Sequence, residues 1–565
     1  MKPAKHACLT RRELAEWVFG AAAVSTLGCG RLDSFVGNGL PSAGELVMPN
    51  KALGHRLRDM PPRSETSNLL EASLVKEHHD CVVVGAGVAG LTAGWFLDEL
   101  GIDDYLIVEL DDAPGGTSRS DVAGGAEGQF ASGLGYPWGA HYLPVPQANN
   151  HALIEWLQAI GVVASIQDDG KPVVFEEYLC RDPEERVFVD GRWSLGLYPE
   201  AIAGASDRAE RDRFRRLMLQ WANKKDSAGN HLFAIPTSQT GFEEASRQLD
   251  RLTMAEYMRQ QGFSSEPLLW LVDHACRDDY GLSMKQTSAW AGIFYFASRM
   301  DRDTGASQSV ITWPQGNGFL VDKLLERSDT RLRCGHAVLR IEHDDDGRHL
   351  LEVLPANGEA SFVVRARTVI LATPSFVTAR MVDLGSSDNA AFRPPEYGSW
   401  LVANVHLDKR PDADGPHSHW DSVLYGSPSL GYVNAGHQAG IDHGPTIWTW
   451  YHPLCDVPPK QRRRFLETLT WSDVAGLVLT DLGAAHPGIH ERVTRLDAML
   501  WGHAMVSPEP GTISRSRWRG SGDDSNTIAL AHTDLSGMAL FEEAFDHGRS
   551  AAHKIAKRLS NGVPA

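Results

Sequence analysis

The stretch from Asp80 to Glu109, DCVVVGAGVAGLTAGWFLDELGIDDYLIVE, constrains this chain more than any other. Cys81 to Val84 is a short apolar run, the pattern of a strand buried on both faces. Gly85, Gly87 and Gly90 follow at GxGxxG spacing, with Ala86 and Ala89 between them. The small, apolar residues from Leu91 to Leu100 predict a helix that Gly101 stops, and a second strand, Tyr105 to Val108, ends on Glu109. Each part has a physical job. Gly85 permits a tight turn, Gly87 lets the backbone approach a pyrophosphate, and Gly90 lets helix and strand pack closely. The helix N-terminus offers unpaired N–H groups and a positive dipole end. Glu109 lies about 20 residues beyond the glycines, where a carboxylate can accept hydrogen bonds from a ribose. Glycine spacing alone is a common turn. Strand, glycines, helix, second strand and acid in this order predict a dinucleotide site.

The 565 residues exceed what one core accommodates and suit two or three intertwined domains. An apolar fraction of 42% is that of a globular protein, and a formal charge of −18 disfavours non-specific binding to nucleic acid or anionic lipid. The cysteines at 8, 29, 81, 180, 276, 334 and 455 show no CxxC or metal-ligand spacing, so neither a disulfide framework nor a metal site is expected.

At the N-terminus, basic Lys2, Lys5, Arg11 and Arg12 precede an alanine-rich apolar segment, Trp17 to Leu27, too short to span a bilayer. Thr10-Arg11-Arg12-Glu13-Leu14 resembles the head of a twin-arginine signal. Thr26-Leu27-Gly28-Cys29 resembles a lipobox, with Thr26 where leucine is usual. The expectation is export by the twin-arginine route to the periplasm. There the protein is either soluble or held to the membrane by a lipid anchor at Cys29, facing the periplasm. Residues 1–29 read as the signal and 30–78 as a tether or peripheral segment.

Further along, Asp111-Asp112-Ala113-Pro114-Gly115-Gly116-Thr117-Ser118-Arg119 repeats the signature of close backbone approach. Gly133 to Tyr142 is a glycine- and aromatic-rich loop containing His141. With the GxGxxG unit and Glu109, these segments resemble the flavin-containing amine oxidase superfamily, which includes amine and amino acid oxidases, protoporphyrinogen oxidase and phytoene-desaturase-like enzymes. Trp313 to Leu320 is similar to the family's second glycine-rich helix start, Gly335 to Ile341 to its adenine-contacting strand, and Val369 to Pro374 to its "VIxAxP" strand. Ala531 to Asp534 and Phe541 to Ala552 resemble the closing flavin motif.

The resemblance implies an α/β fold: a Rossmann-type FAD-binding domain interleaved with an α+β substrate domain. The FAD-binding parts are expected at 79–150, 311–395 and 496–565, and the substrate parts at 151–310 and 396–495. Helical patterns are expected at His151–Ile160, Asp207–Asn223, Glu243–Asp250 and Met254–Gln261, and strands at Trp400–Leu407 and Thr446–Tyr451. FAD is expected to be bound non-covalently, since no cysteine follows Cys455. Its residues would be Gly85, Ala86, Gly87, Ala89, Gly90, Glu109, Gly115, Gly116, Thr117, Val338, Asp534 and Leu540. In the family an acid touches the ribityl chain and a helix N-terminus faces the flavin's pyrimidine edge.

Candidate catalytic residues are His141, Asn404 and Trp501. His141 stands either as a base or as a histidine tied to its own loop. The acids Asp278 and Asp279 suit a cation in the cavity, a solvated helix end or a salt bridge to Arg277, and Trp448, Trp450 and Tyr451 suit core packing or a cavity wall. Two departures from the amine oxidases stand out. The strand expected to carry a lysine near flavin N5, Tyr397 to His406, has none, and Val402 or Asn404 falls nearest. Ala504 and Leu540 stand where monoamine oxidases place two aromatic rings. The sequence thus implies an FAD-dependent oxidoreductase taking a hydride from a C–N or C–C bond of a small molecule, with dioxygen or another acceptor. A desaturase or isomerase on an apolar substrate, and a non-catalytic FAD-stabilised binding protein, stand as alternatives.

Overall fold

The computed structural model describes residues 40–60, 75–123, 133–241, 243–382, 395–411, 419–440, 443–515 and 527–561. The signal, with Arg11, Arg12 and Cys29, lies outside the described residues.

Two sheets organise the molecule. The first has seven strands. At its centre Val75–Val84 pairs in parallel with Tyr105–Val108 on one side and Phe362–Leu371 on the other. Cys81 to Val84 are almost wholly buried, as a central strand covered on both faces requires. Ile528–Leu530 adds a further parallel pair on Phe362–Leu371. The hairpin of His336–His343 and His349–Pro355 extends the sheet in antiparallel sense. One face is packed by the helices Val88–Glu99, His151–Ala159, Gly318–Leu325 and Phe541–Ser560. The helix Phe541–Ser560 approaches Val88–Glu99 so closely that a Cβ at Gly548 would lie 2.2 Å from the Ala89 carbonyl.

The second sheet has eight strands, in the order Leu46–Val47, Val493–Val506, Tyr397–Leu407, Thr446–Pro453, Tyr432–Asn434, Asp421–Leu424, Glu185–Val189, Arg192–Leu195. Period-2 alternation sorts its residues. Trp448 and Trp450 face a core shared with the helices Pro459–Thr468 and Trp471–Ala485, while Tyr451 belongs to an aromatic cluster with Trp400, Val402 and Trp501 on the other side. Beside the sheet lies a helical core, built from Ala205–Asn223, Met254–Gln260, Glu266–Tyr280 and Ala289–Ala297.

The expected helices and strands are present with ends shifted by up to a few residues. The division of the chain differs in three places. Leu153, Trp156 and Leu157, expected in the substrate part, pack into the core of the seven-stranded half. The boundary at 495/496 falls inside Val493–Val506, a strand of the eight-stranded sheet. Residues 40–59 are not a free tether. Leu46–Val47 pairs with Val493–Val506, and the helix Lys51–Asp59 buries Leu53 and Leu57 against Val82, Val84, Leu106 and Val338. This strap therefore joins both halves. Gly44 fixes its path, since a Cβ there would lie 1.9 Å from the Leu496 carbonyl oxygen.

No helix among the described residues is long and apolar enough to cross a membrane.

Candidate active site

The glycines of the first motif have separable reasons. Gly85 has φ +101°, and a Cβ there would lie 2.7 Å from the Ala372 carbonyl. At Gly90 a Cβ would lie 1.9 Å from the Gly85 carbonyl. Both glycines are dictated by packing within the protein. Gly87 is different: its φ is −70°, and a Cβ there would meet nothing within 4 Å. Among the described residues no atom demands glycine at this helix N-terminus, so the space fits a pyrophosphate. Gly115 and Gly116, both in the left-handed region, lie against it, with the Gly115 N–H donating to the Ala86 carbonyl at 2.8 Å. Glu109 accepts from the Ala86 N–H at 2.6 Å and the Asp111 N–H at 2.8 Å, and burial pushes its pKa up to about 7.

At the other end of the groove stands Asp534. Burial alone would raise its pKa, yet the adjacent His532 and the Ser375 and Tyr397 hydroxyls hold it down at about 2. Its Oδ2 accepts from the Ser375 N–H at 2.7 Å and from those two hydroxyls. Its Oδ1 is buried and lies 3.1 Å from Nδ1 of His532. A buried carboxylate kept ionised in this way suits a ribityl hydroxyl as its further donor. The residues present thus fit FAD at both ends. Val338 lies in the sheet core under the strap helix.

Between the two sheets a cavity is lined by Thr117, Gly139 to Tyr142, Asn317, Trp400, Val402, Tyr451, Trp501, Ala504, Met505 and Ala539 to Glu542, with Asp278, Asp279 and Arg299. His141 and Trp501, two of the expected catalytic residues, lie in its wall, as do Thr117, Ala504 and Leu540. His141 is packed among Tyr451, Tyr142 and Trp420 at 4.9, 5.1 and 5.5 Å between ring centroids. Burial lowers its pKa to about 4, so the ring is neutral at neutral pH.

Asn404 is not in the wall. It is fully buried, donating to the Pro137 carbonyl at 3.1 Å and accepting from the Thr449 hydroxyl at 2.8 Å. The residues of this strand that reach the cavity are Trp400 and Val402. Trp501 spends its indole N–H on the Trp138 carbonyl at 2.7 Å. Asn404 and Trp501 both hold one loop.

That loop is held at every step. Six consecutive carbonyls, from Pro137 to Tyr142, each accept a hydrogen bond from a different group: Asn404 Nδ2, Trp501 Nε1, the Tyr451 hydroxyl, the Asn317 N–H, the Thr312 hydroxyl and Asn317 Nδ2. The donors come from both halves of the molecule. A loop satisfied in this way cannot drift, and it fixes the imidazole of His141 in the cavity.

The acids were under-read in the sequence. Asp278 and Asp279 end the helix Glu266–Tyr280, capped by Gly281 at φ +61°, and they face the cavity rather than solvent. Asp279 pairs with Arg299, not Arg277, through two N–O contacts of 2.9 Å. Asp278 makes no hydrogen bond or ion pair among the described residues. Burial, and then the adjacent Asp279, push its pKa up to about 7. Glu185 and Asp421, opposite each other on paired strands, are raised for the same reason, burial first and then the neighbouring carboxyls. Glu542, in the first turn of Phe541–Ser560, is raised by burial to about 7. Among the described residues of the wall the one cation, Arg299, is thus neutralised, and the acids outnumber it. Glu185 and Asp421 lie more than 230 residues apart in the chain, so no local pattern foretold the grouping. Asn317 sat within a recognised motif but bore no expected role.

A family model for an NAD(P)-binding Rossmann-like domain matches residues 83–159. No curated protein sequence matches the chain. Among solved structures, wild-type putrescine oxidase bound to putrescine superposes with a TM-score of 0.60 at 16% identity, over 85% of this chain and 99% of that one. Cyclohexylamine oxidase from Brevibacterium oxydans IH-35A gives 0.54 at 14%, over 85% and 99%. A candidate protoporphyrinogen oxidase from Exiguobacterium sp. 255-15 gives 0.55 at 15%, over 86% and 99%.

Proposed function

From a chain with the fold of the flavin amine oxidases, we propose an FAD-dependent oxidoreductase that oxidises the C–N bond of a small cationic amine. Dioxygen or another acceptor takes the electrons, and FAD is held without a covalent bond. One observation carries this reading. Among the described residues, the cavity that adjoins the dinucleotide groove has aromatic walls and carries carboxyls that outnumber its one, already paired, cation.

Bound FAD supplies the hydride acceptor. The chain's own residues do the rest. The cavity carboxyls of Asp278 and Glu542, both pushed up to about 7, ionise near neutral pH and can then attract and orient a cation. Trp400, Tyr451, Trp501 and Val402 exclude water from the reacting carbon. A ring nitrogen of the neutral His141 can accept a hydrogen bond from the substrate's N–H. The fixed carbonyls of residues 137–142 keep that ring from turning away.

A second reading, oxidation or isomerisation of a C–C bond in an apolar substrate, is supported by the wall of Val402, Ala504, Met505 and Leu540, which has no lysine. The absorption spectrum of the purified protein tests the first step. Flavin bands with the flavin released by acid are expected, and a colourless protein would refute the reading. Bleaching by a primary amine supports C–N oxidation. Bleaching by an uncharged alkene precursor and by no amine turns the assignment to the second reading.

The protein is further proposed to work outside the cytoplasm. Its support is the Arg11-Arg12 pair before an apolar segment ending at Cys29. Arg11→Lys with Arg12→Lys keeps the charge and should block export. Cys29→Ala should release exported protein from the membrane fraction. Normal export of the double variant would overturn the route, and membrane retention of Cys29→Ala would overturn the anchor.

A further inference from the structure

Asn317 is the residue that supplies two of the six donors holding the loop, its backbone N–H to Ala140 at 3.0 Å and its Nδ2 to Tyr142 at 3.1 Å. The second bond settles which way the side-chain amide faces, because only its NH2 group can donate to the Tyr142 carbonyl. Oδ1 is therefore the atom left over. Asn317 is 1% exposed, it lines the cavity, and Oδ1 accepts no hydrogen bond among the described residues. Buried acceptors left without a donor are costly, and native proteins rarely keep one without use.

We propose that Asn317 Oδ1 is a ligand-binding acceptor that takes an N–H from the molecule filling the cavity. Two ligands of the proposed function carry an N–H: the flavin ring system of FAD and the ammonium group of the amine. The inference rests on that reading only for the identity of the donor. Asn317 then does two things with one amide. Its NH2 group fixes the loop that carries His141, and its oxygen registers the ligand against that loop.

The test compares Asn317→Leu with Thr312→Val in the full chain. Thr312→Val is nearly isosteric, lies outside the cavity wall and removes only the neighbouring bond to the His141 carbonyl. Two affinities are measured: FAD for the apoprotein by quenching of flavin fluorescence, and propylammonium for the FAD-loaded protein by anaerobic calorimetric titration, with tetramethylammonium, which has no N–H, as a control cation. Asn317→Leu should weaken one of the first two by about tenfold, equivalent to about 1.4 kcal/mol. Thr312→Val, which loses a tie of the loop but no ligand contact, should weaken either affinity less than Asn317→Leu does. Loss of FAD affinity identifies the flavin as donor. Loss of propylammonium but not tetramethylammonium affinity identifies the substrate. Unchanged affinities in Asn317→Leu, or an equal loss in Thr312→Val, overturn the proposal. Should Asn317→Leu not fold, Asn317→Asp carries the test: it keeps an oxygen acceptor, so a tenfold loss of ligand affinity there overturns the proposal. Wild-type protein that takes up no FAD would sink the proposed function and this inference together. Wild-type protein that loads normally, with Asn317→Leu loading and binding equally well, sinks this inference alone.

Discussion

In the seven-stranded half, Gly85, Gly87 and Gly90 fall within six residues and Glu109 closes the unit in the same βαβ stretch. In the eight-stranded half, the cavity wall takes Asp278 from a helix, Val402 from one strand and Tyr451 from another, with Glu185 and Asp421 behind. The first site works through backbone, so its demands are local and written as glycine spacing. The second works through side chains brought together by a sheet, so its demands are spread over the chain. A ligand held by backbone leaves a motif, whereas one held by side chains across a sheet leaves only composition.

The largest effects should come from separating the glycines. Gly90→Val is expected to abolish folding, because its Cβ would lie inside the Gly85 carbonyl. Gly87→Val should fold with a wild-type circular dichroism spectrum and bind no FAD, since its backbone suits any residue and only the ligand's space is filled. A Gly87→Val protein that loads FAD normally would break the comparison at its firmer side.

Asp278→Asn comes next. Loss of one charged partner should weaken amine binding by ~1.5–3 kcal/mol. Because the ionised form binds the cation, wild-type affinity should rise as pH increases through about 7. Stability runs the other way. The carboxyl is raised from its ordinary 3.8 to about 7 in the folded protein, so between those values the fold holds a proton that the unfolded chain has released. That contribution is lost as pH rises through the window. Asp278→Asn should therefore raise the melting temperature at pH 8 and leave it unchanged at pH 4. A variant less stable than wild type at pH 8 would contradict this placement.

Asn404→Ala should cost ~1–3 kcal/mol of stability, by stranding the Pro137 carbonyl and the Thr449 hydroxyl. Denaturant unfolding measures it, and its effect on turnover should be smaller than that of His141→Ala. Lys285→Ala, on the exposed surface beyond the acids, should change stability by less than ~0.5 kcal/mol and leave amine affinity unaltered. A clear loss of affinity there would extend the acid site's field farther than its burial implies.

The contrast also explains what could be read beforehand. The strand Cys81–Val84, the glycine turn and Glu109 stood in the sequence because each is a short-range requirement. Alternation puts Trp448 and Trp450 on one strand face and Tyr451 on the other, but only the sheet shows which of the two faces meets the cavity. Asn404 resembled a site residue by its position in the strand, yet its amide is consumed by the Pro137–Tyr142 loop, whose course depends on residues from 312 to 501. Asp278 was legible as an acid and not as a buried one. Burial depends on Arg299 and on strands contributed much later in the chain.

The strap bears on the order in which the molecule can assemble. Glu45 receives its partners Asp497 and Arg495 across about 450 residues of chain. Leu53 and Leu57 find Val82 and Val84 far sooner. The helix end of the strap can therefore dock early, while its strand end must wait until Val493–Val506 has been made and has joined the sheet. Closing so long a loop has an entropic cost that grows only slowly with length, but it slows the step that needs it. Folding of this chain thus ends near where it begins, with a two-residue strand completing a sheet whose other seven strands come after it in the sequence.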